Sequence, residues 1–261
     1  MVRQIAYYWR LCATALCFAV FGVCGLVFGL AVFPLMRLVP GRRGAHRRRV
    51  RATFHAVMRA FVGFMHAVGV LTFDFEGAER LGRPGQMIVA NHPTLIDVVF
   101  LIGFTPDATC IVKKSLWSNP FTRWPVAAAG YLSNTPTLEM VEQASQALRA
   151  GQSVIIFPEG TRTTPGQPLQ FHRGAASIAV RAATVVTPVY IRCEPTTLAK
   201  NMPWYRIPAR RARFSFRVGP DIDPAPFRTA PPPLASRAFN EHLLQVFGDE
   251  LSKGGPPGER A

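Results

Sequence analysis

The sequence predicts an α/β fold, with a mostly parallel sheet flanked by helices and an N-terminal membrane-associated helical segment in front of it. Three observations carry this. Short apolar runs of strand length alternate with stretches of helical periodicity after residue 73. Two of those runs, Gln86–Ala90 and Ser153–Phe157, end in polar turns rather than in hairpin signals. Ahead of them, Leu11 to Met36 contains no charged residue.

That first segment exceeds the roughly 20 residues needed to cross a bilayer. It carries Gly22, Gly25 and Gly29, small residues that let a helix pack closely. The apolar run is too long for a signal peptide, and no small-residue cleavage site follows it. Arg3 and Arg10 precede the segment, and seven arginines from Arg37 to Arg51 follow it, Arg42 and Arg43 among them. The positive-inside rule puts the following domain on the cytoplasmic face, and the arginines should attract anionic headgroups.

A second apolar segment, Val50 to Phe75, places Arg51, His55, Arg59 and His66 on one helical stripe. It suits a helix lying at a membrane interface, or equally a core helix of the globular domain. The chain thus divides into an anchor or interfacial helical pair over 1–72, an α/β domain over 73–252, and a tail over 253–261 with a disordered composition.

Within the domain, Gln86–Ala90 reads as a buried strand. Asn91 follows as a helix N-cap and Pro93 suits a first helical turn. His92 and Asp97 lie five residues apart, so the carboxylate can reach one ring nitrogen and leave the other as a base. No serine accompanies them, so the nucleophile would be a substrate hydroxyl. Taken alone, the pair is also what a structural histidine and a surface aspartate would give.

Thr137–Ala150 has helical spacing and a Gly151 stop. Ser153–Phe157 is the second buried strand. It opens into Pro158-Glu159-Gly160-Thr161-Arg162, where Arg162 offers a bidentate fork to a phosphate. Thr161 and the backbone near Gly160 add donors, and Glu159 would hold the arginine or bind a substrate hydroxyl. An ordinary strand-to-loop turn with a Glu–Arg surface pair fits the same residues.

Gly174–Ala183 is a helix leading into a strand at Thr184-Val185-Val186. The stretch ending at Arg217 alternates phenylalanine with arginine, as a strand with one solvated face does; a second membrane-facing patch is the alternative. Pro231-Pro232-Pro233 is a linker before a helix over Leu234–Leu251. The five cysteines show no paired spacing, so neither a disulfide framework nor a zinc site is implied. A net charge of +15 raises nucleic-acid binding, but the arginines cluster beside apolar segments and not along a reading helix. Membrane lipids, and no nucleic acid, are the expected partners.

Together, in this order and spacing, Asn91-His92-x4-Asp97 and Phe157-Pro158-Glu159-Gly160-Thr161-Arg162 resemble the glycerolipid acyltransferase family, which includes the 1-acylglycerol-3-phosphate acyltransferases. Val186-Thr187-Pro188-Val189 resembles its fourth motif, and the likeness runs from about Phe73 to Gly219. Ile111-Val112-Lys113-Lys114-Ser115-Leu116 begins like its second motif, but Tyr131-Leu132-Ser133-Asn134 lacks the arginine that usually ends it.

The resemblance implies transfer of a fatty acyl group from a thioester donor, acyl-CoA or acyl-carrier protein, to a lysophospholipid hydroxyl, with no cofactor. His92 and Asp97 would be catalytic. Asn91, Glu159, Gly160, Thr161, Arg162 and Lys113 would bind substrates, Lys113 on the donor side. The missing arginine raises a specialised non-glycerolipid acceptor as the alternative. A hydrolase and a non-catalytic membrane protein keeping the fold are further ones.

Overall fold

The computed structural model describes residues 2–41, 44–164 and 166–253. Arg42, Arg43 and the tail from Gly254 onward therefore lie outside the described residues.

The chain begins with one long helical rod. Helix α1 (Val2–Val27) runs into a π-helical turn over Phe28–Val32, then α2 (Phe33–Leu35) and a 3₁₀ turn over Met36–Leu38. The wide turn sits ahead of Pro34, which has no N–H for an α-helical bond; the Phe33 N–H bonds Phe28 O instead. The rod from Arg3 to Leu38 is long and apolar enough to cross a membrane by length and composition.

One face of the rod is packed against the rest of the protein. Ala13, Cys17 and Phe33 are buried, while Ile5, Leu16, Val23, Val27 and Leu30 are exposed. Trp9 Nε1 donates to Val68 O at 2.9 Å, and Arg10 Nη2 donates to Ala209 O at 2.7 Å. The expected glycines are where the approach is closest. A Cβ on Gly25 would stand 2.3 Å from the Phe121 carbonyl oxygen, and one on Gly29 would stand 2.7 Å from Trp124 and Pro125.

This gives an opposed pair of expectations. Gly25→Ala should lower the melting temperature, because backbone cannot yield and overpacking costs about 1–3 kcal/mol. Gly63→Ala, where nothing lies within 4 Å, should raise it by improving helix propensity. Differential scanning fluorimetry of the two variants reads the signs; equal shifts would remove the close approach at Gly25.

Helix α3 (Ala45–Ala67) doubles back, and its burial decides between the two readings of this segment and corrects the one for Arg51. Val50, Phe54, Met58, Val62 and Met65 are buried against the domain, so this is a core helix. Arg51, expected to face headgroups, is itself buried and pairs with Asp107 at 2.7 Å. The apolar run to Phe75 is not one helix either. It breaks at Gly69 (φ +83°), and Leu71–Glu76 forms strand β1. The division at residue 72/73 therefore falls inside a strand.

The remaining elements follow in order: β2 (Gln86–Ala90), α4 (Asp97–Phe104), β3 (Ala108–Val112), α5 (Arg123–Ala129), β4 (Leu132–Ser133), α6 (Leu138–Arg149), β5 (Ser153–Ile156), α7 (Arg173–Ala182), β6 (Val185–Glu194), β7 (Ala212–Val218) and α8 (Pro232–Ser252). The seven strands lie in the order β1-β7-β6-β2-β5-β3-β4. Only β6 and β7 pair antiparallel; the rest are parallel, as the alternating pattern predicts.

Alternation within the strands splits the core in two. Ile88 and Ala90 of β2 join Phe100, Phe214 and Phe216 on the face covered by α3, α4 and α5. Met87 and Val89 join Leu148, Ile178, Phe239 and Phe247 on the face covered by α6, α7 and α8. On β7, Phe214 and Phe216 are fully buried while Arg213 pairs with Asp74 and Arg217 with Glu250. The solvated-face reading of that strand holds, and these arginines are engaged within the protein.

Candidate active site

Strand β2 is the middle strand of the seven, and β5 pairs beside it in parallel. Both therefore end at the same edge. The register Val89↔Ile156 carries three residues further to His92 opposite Glu159. The two distant strings meet because the sheet aligns the carboxyl ends of neighbouring strands, the usual position of a site in an open α/β sheet.

The residues 91–96 form a loop, and α4 begins only at Asp97. This corrects the reading of Asn91 as a helix cap. Its Nδ2 donates to Ile191 O and its Oδ1 accepts from Ile191 N–H, both at 2.8 Å. A buried backbone pair on β6 needs partners there, and Asn91 supplies both. The loop is thereby pinned to the sheet immediately before His92.

His92 Nδ1 lies 2.9 Å from Asp97 Oδ2. Asp97 is fully buried and also accepts from the Thr94 N–H, at 2.7 Å, and from the Thr94 hydroxyl. A carboxylate with such donors is acceptor-only, so Nδ1 carries the proton and Nε2 is left free. The imidazole stacks on Phe157, with centroids 4.1 Å apart and planes 22° apart. Asp97 thus sets the tautomer and Phe157 sets the plane. The imidazole side chain keeps 17% exposure, enough for a substrate hydroxyl to reach it.

Glu159 does not hold Arg162, as the sequence suggested. Its Oε1 accepts from the His92 N–H and from Thr163 Oγ1, both at 2.8 Å. Burial pushes this carboxyl above the ordinary glutamate range, against the two hydrogen bonds that lower it. Because the folded value is raised, ionising Glu159 opposes folding. This stability is present below the unfolded-state value and lost as pH rises through the folded one.

Gly160 has φ +64°, a left-handed conformation that favours glycine, and a Cβ there would stand 3.0 Å from the His172 ring. Thr161 is exposed. Arg162 is half-buried, and its Nη1 donates to Leu198 O at 2.8 Å and Ala199 O at 2.9 Å. Its Nε and Nη2 make no hydrogen bond to a described residue. Leu198 O also accepts from Leu95 N–H, so Arg162 and the 91–96 loop share one carbonyl.

Lys113 is exposed at the end of β3. Next to it, Asn134 stands where the expected arginine is missing. Its Oδ1 accepts from Lys114 N–H at 3.1 Å, and its Nδ2 donates to Gly160 O at 3.3 Å. Sequence reasoning passed over Thr163, Leu198 and this role of Asn134. Thr163 follows the matched string directly and was within sight; nothing in the sequence marks a carbonyl thirty-five residues downstream of it.

A profile of the family described as "Acyltransferase" matches residues 72–192. A 1-acyl-sn-glycerol-3-phosphate acyltransferase of Pseudomonas aeruginosa is 24% identical, over 99% of this chain and 94% of that protein. The human 1-acyl-sn-glycerol-3-phosphate acyltransferase beta is 30% identical over 67% of this chain and 60% of its own length. Among solved structures, the 1-acyl-sn-glycerophosphate (LPA) acyltransferase PlsC from Thermotoga maritima superposes with a TM-score of 0.69, at 20% identity, covering 92% of this chain and 96% of that one.

Proposed function

The chain belongs to the acyltransferase family, and we propose that it moves a fatty acyl group from a thioester donor to the free hydroxyl of 1-acylglycerol-3-phosphate. The observation that carries this is the oriented base: Asp97 occupies His92 Nδ1, and Nε2 is left free at the sheet edge. Nε2 removes the proton of the acceptor hydroxyl as its oxygen attacks the thioester carbonyl. The tetrahedral intermediate collapses, the carbon–sulfur bond breaks, and the imidazolium returns the proton to the leaving thiolate. Buried Asp97 offsets the imidazolium charge between these steps. No side chain forms a covalent intermediate, so donor and acceptor are bound together, and no cofactor is called for.

The matched relatives bear names that specify this acceptor, and Arg162 supports it. With Nη1 tied to the 198–199 carbonyls, Nε and Nη2 remain as the donors assigned to the acceptor's phosphate. Lys113, exposed at the end of β3, is assigned to the donor, acyl-CoA or acyl-carrier protein. The exposed apolar face of the N-terminal rod is assigned to membrane lipid, with the α/β domain on the cytoplasmic side. Because the rod is fastened along the domain from Trp9 to Gly29, it lies in one leaflet in this reading.

Asn134 favours a second reading. It puts a neutral amide where the acceptor's phosphate would otherwise meet a cation, which suits a non-glycerolipid acceptor. Purified enzyme offered lysophosphatidate, lysophosphatidylethanolamine and a long-chain alcohol with one donor decides between them. Lysophosphatidate is expected to be the best acceptor, and Arg162→Lys should lower its kcat/KM by roughly 10- to 100-fold, the scale of a lost charged hydrogen bond. Lysophosphatidate no better than the alcohol would leave the second reading standing. Unchanged kinetics in Arg162→Lys would take Arg162 out of the acceptor site.

A further inference from the structure

We propose that Thr163 is a positioning residue for His92, holding one peptide group of the histidine directly and the other through Glu159. Its own N–H donates to the His92 carbonyl at 2.7 Å. Its hydroxyl donates to Glu159 Oε1 at 2.8 Å, and that same oxygen accepts the His92 N–H at 2.8 Å. The histidine's backbone is thus gripped from both sides by the neighbouring turn, at its carbonyl by Thr163 directly and at its N–H by Glu159, which the Thr163 hydroxyl supports. The inference rests on the reading of His92 as the general base.

The grip matters because the remaining contacts orient the ring. Asp97 Oδ2 and the Phe157 ring set the imidazole's rotation. Neither fixes where the His92 Cα sits relative to the turn that carries Gly160 and Arg162. Asn91 anchors the loop to β6 on one side. Thr163 anchors it to the β5 turn on the other, where the acceptor is proposed to bind. It therefore sets the distance between Nε2 and the acceptor hydroxyl.

The hydroxyl is the part a substitution can test. Glu159 is only 8% exposed, so its carboxylate depends on protein donors. Without the Thr163 hydroxyl, Oε1 keeps one donor, and the carboxylate is drawn towards its neutral form or towards water. Either change loosens the His92 N–H. The Thr163 backbone bond survives, so the histidine is displaced and not released.

The experiment compares Thr163→Val, Thr163→Ala and Thr163→Ser with wild type and His92→Ala, measuring kcat, acceptor KM, the pH profile and the melting temperature. Both variants lacking the hydroxyl should lose about 10- to 100-fold in kcat, the scale of a small misplacement of reacting groups. Acceptor KM should change little, since no substrate contact is removed. The acid limb of the kcat profile should move to higher pH, because Glu159 loses a bond that favours its charged form. Thr163→Ser should restore both readouts. The alanine variant carries the test if valine crowds the turn and does not fold.

A folded Thr163→Ala with wild-type kcat and an unmoved acid limb overturns the proposal. So does a serine variant as impaired as the alanine one. If His92→Ala is itself active, the reading of the base fails and the proposal falls with it. If His92→Ala is dead while Thr163→Ala is fully active, only the positioning role fails.

Discussion

His92→Ala is expected to abolish acyl transfer while leaving the fold intact. Loss of a general base costs on the order of 10²–10⁴-fold, and here no second histidine can substitute within the 91–97 loop. The fold should survive because the two backbone anchors of residue 92, to Glu159 and Thr163, do not involve the imidazole. Removal of the ring strands one buried partner, Asp97, which keeps its two Thr94 donors. The variant should therefore melt within a few degrees of wild type, a shift of about 1–2 kcal/mol. Initial rates with a labelled thioester, alongside a thermal melt, check both halves. A folded His92→Ala enzyme with near-normal turnover would sink the mechanism.

Asp97→Asn should lose turnover on the order of 10³-fold or more, by setting the wrong tautomer. Asp97 accepts three hydrogen bonds from His92 and Thr94. Oδ2 takes both the His92 Nδ1–H and the Thr94 N–H, while Oδ1 takes the Thr94 hydroxyl. With an asparagine NH₂ in place of Oδ2, Nδ1 must become the acceptor, Nε2 takes the proton and the base is lost, while the Thr94 N–H faces a buried donor at a cost of about 1–3 kcal/mol. With the NH₂ in place of Oδ1, the Thr94 hydroxyl turns to accept, and the charge that offsets the imidazolium is gone. Stability should therefore fall as well. Acceptor KM should move little. If only KM changed, Asp97 would belong to substrate binding, which its complete burial argues against.

The two predictions differ because of packing that sequence spacing does not reveal. Five residues between His92 and Asp97 are compatible with a helical turn and with the loop that occurs. In both, a carboxylate can reach a ring nitrogen, so the His92–Asp97 contact was legible although its local structure was not. The same holds for the Gly160 turn: a strand ending in Pro158-Glu159-Gly160 announces a turn whatever lies beside it, and the left-handed φ of +64° is seen only in the structure.

What the sequence determined by itself is whatever depends on local pattern. That covers the alternation that makes the sheet mostly parallel, the buried strands β2 and β5, α6 with its Thr137 cap, the apolar N-terminal rod with its close-packing glycines, and the pairing of His92 with Asp97. The tertiary structure alone decided what each polar group bonds once water is excluded. Asn91 turned to β6, Glu159 to the His92 backbone, Arg162 to the 198–199 carbonyls and Arg51 to Asp107. Asn91 was expected at a helix end, Arg51 at a membrane and Glu159 at Arg162 or a substrate; each meets a partner that arrives from 56 to 100 residues away, and Arg162 Nη1 meets one 36 residues away while its Nε and Nη2 stay available for the proposed phosphate. A buried backbone group or charge must be matched where the fold leaves it. That place is set by strand order and register, which bring β2, β5 and β6 side by side and which no local run of residues encodes.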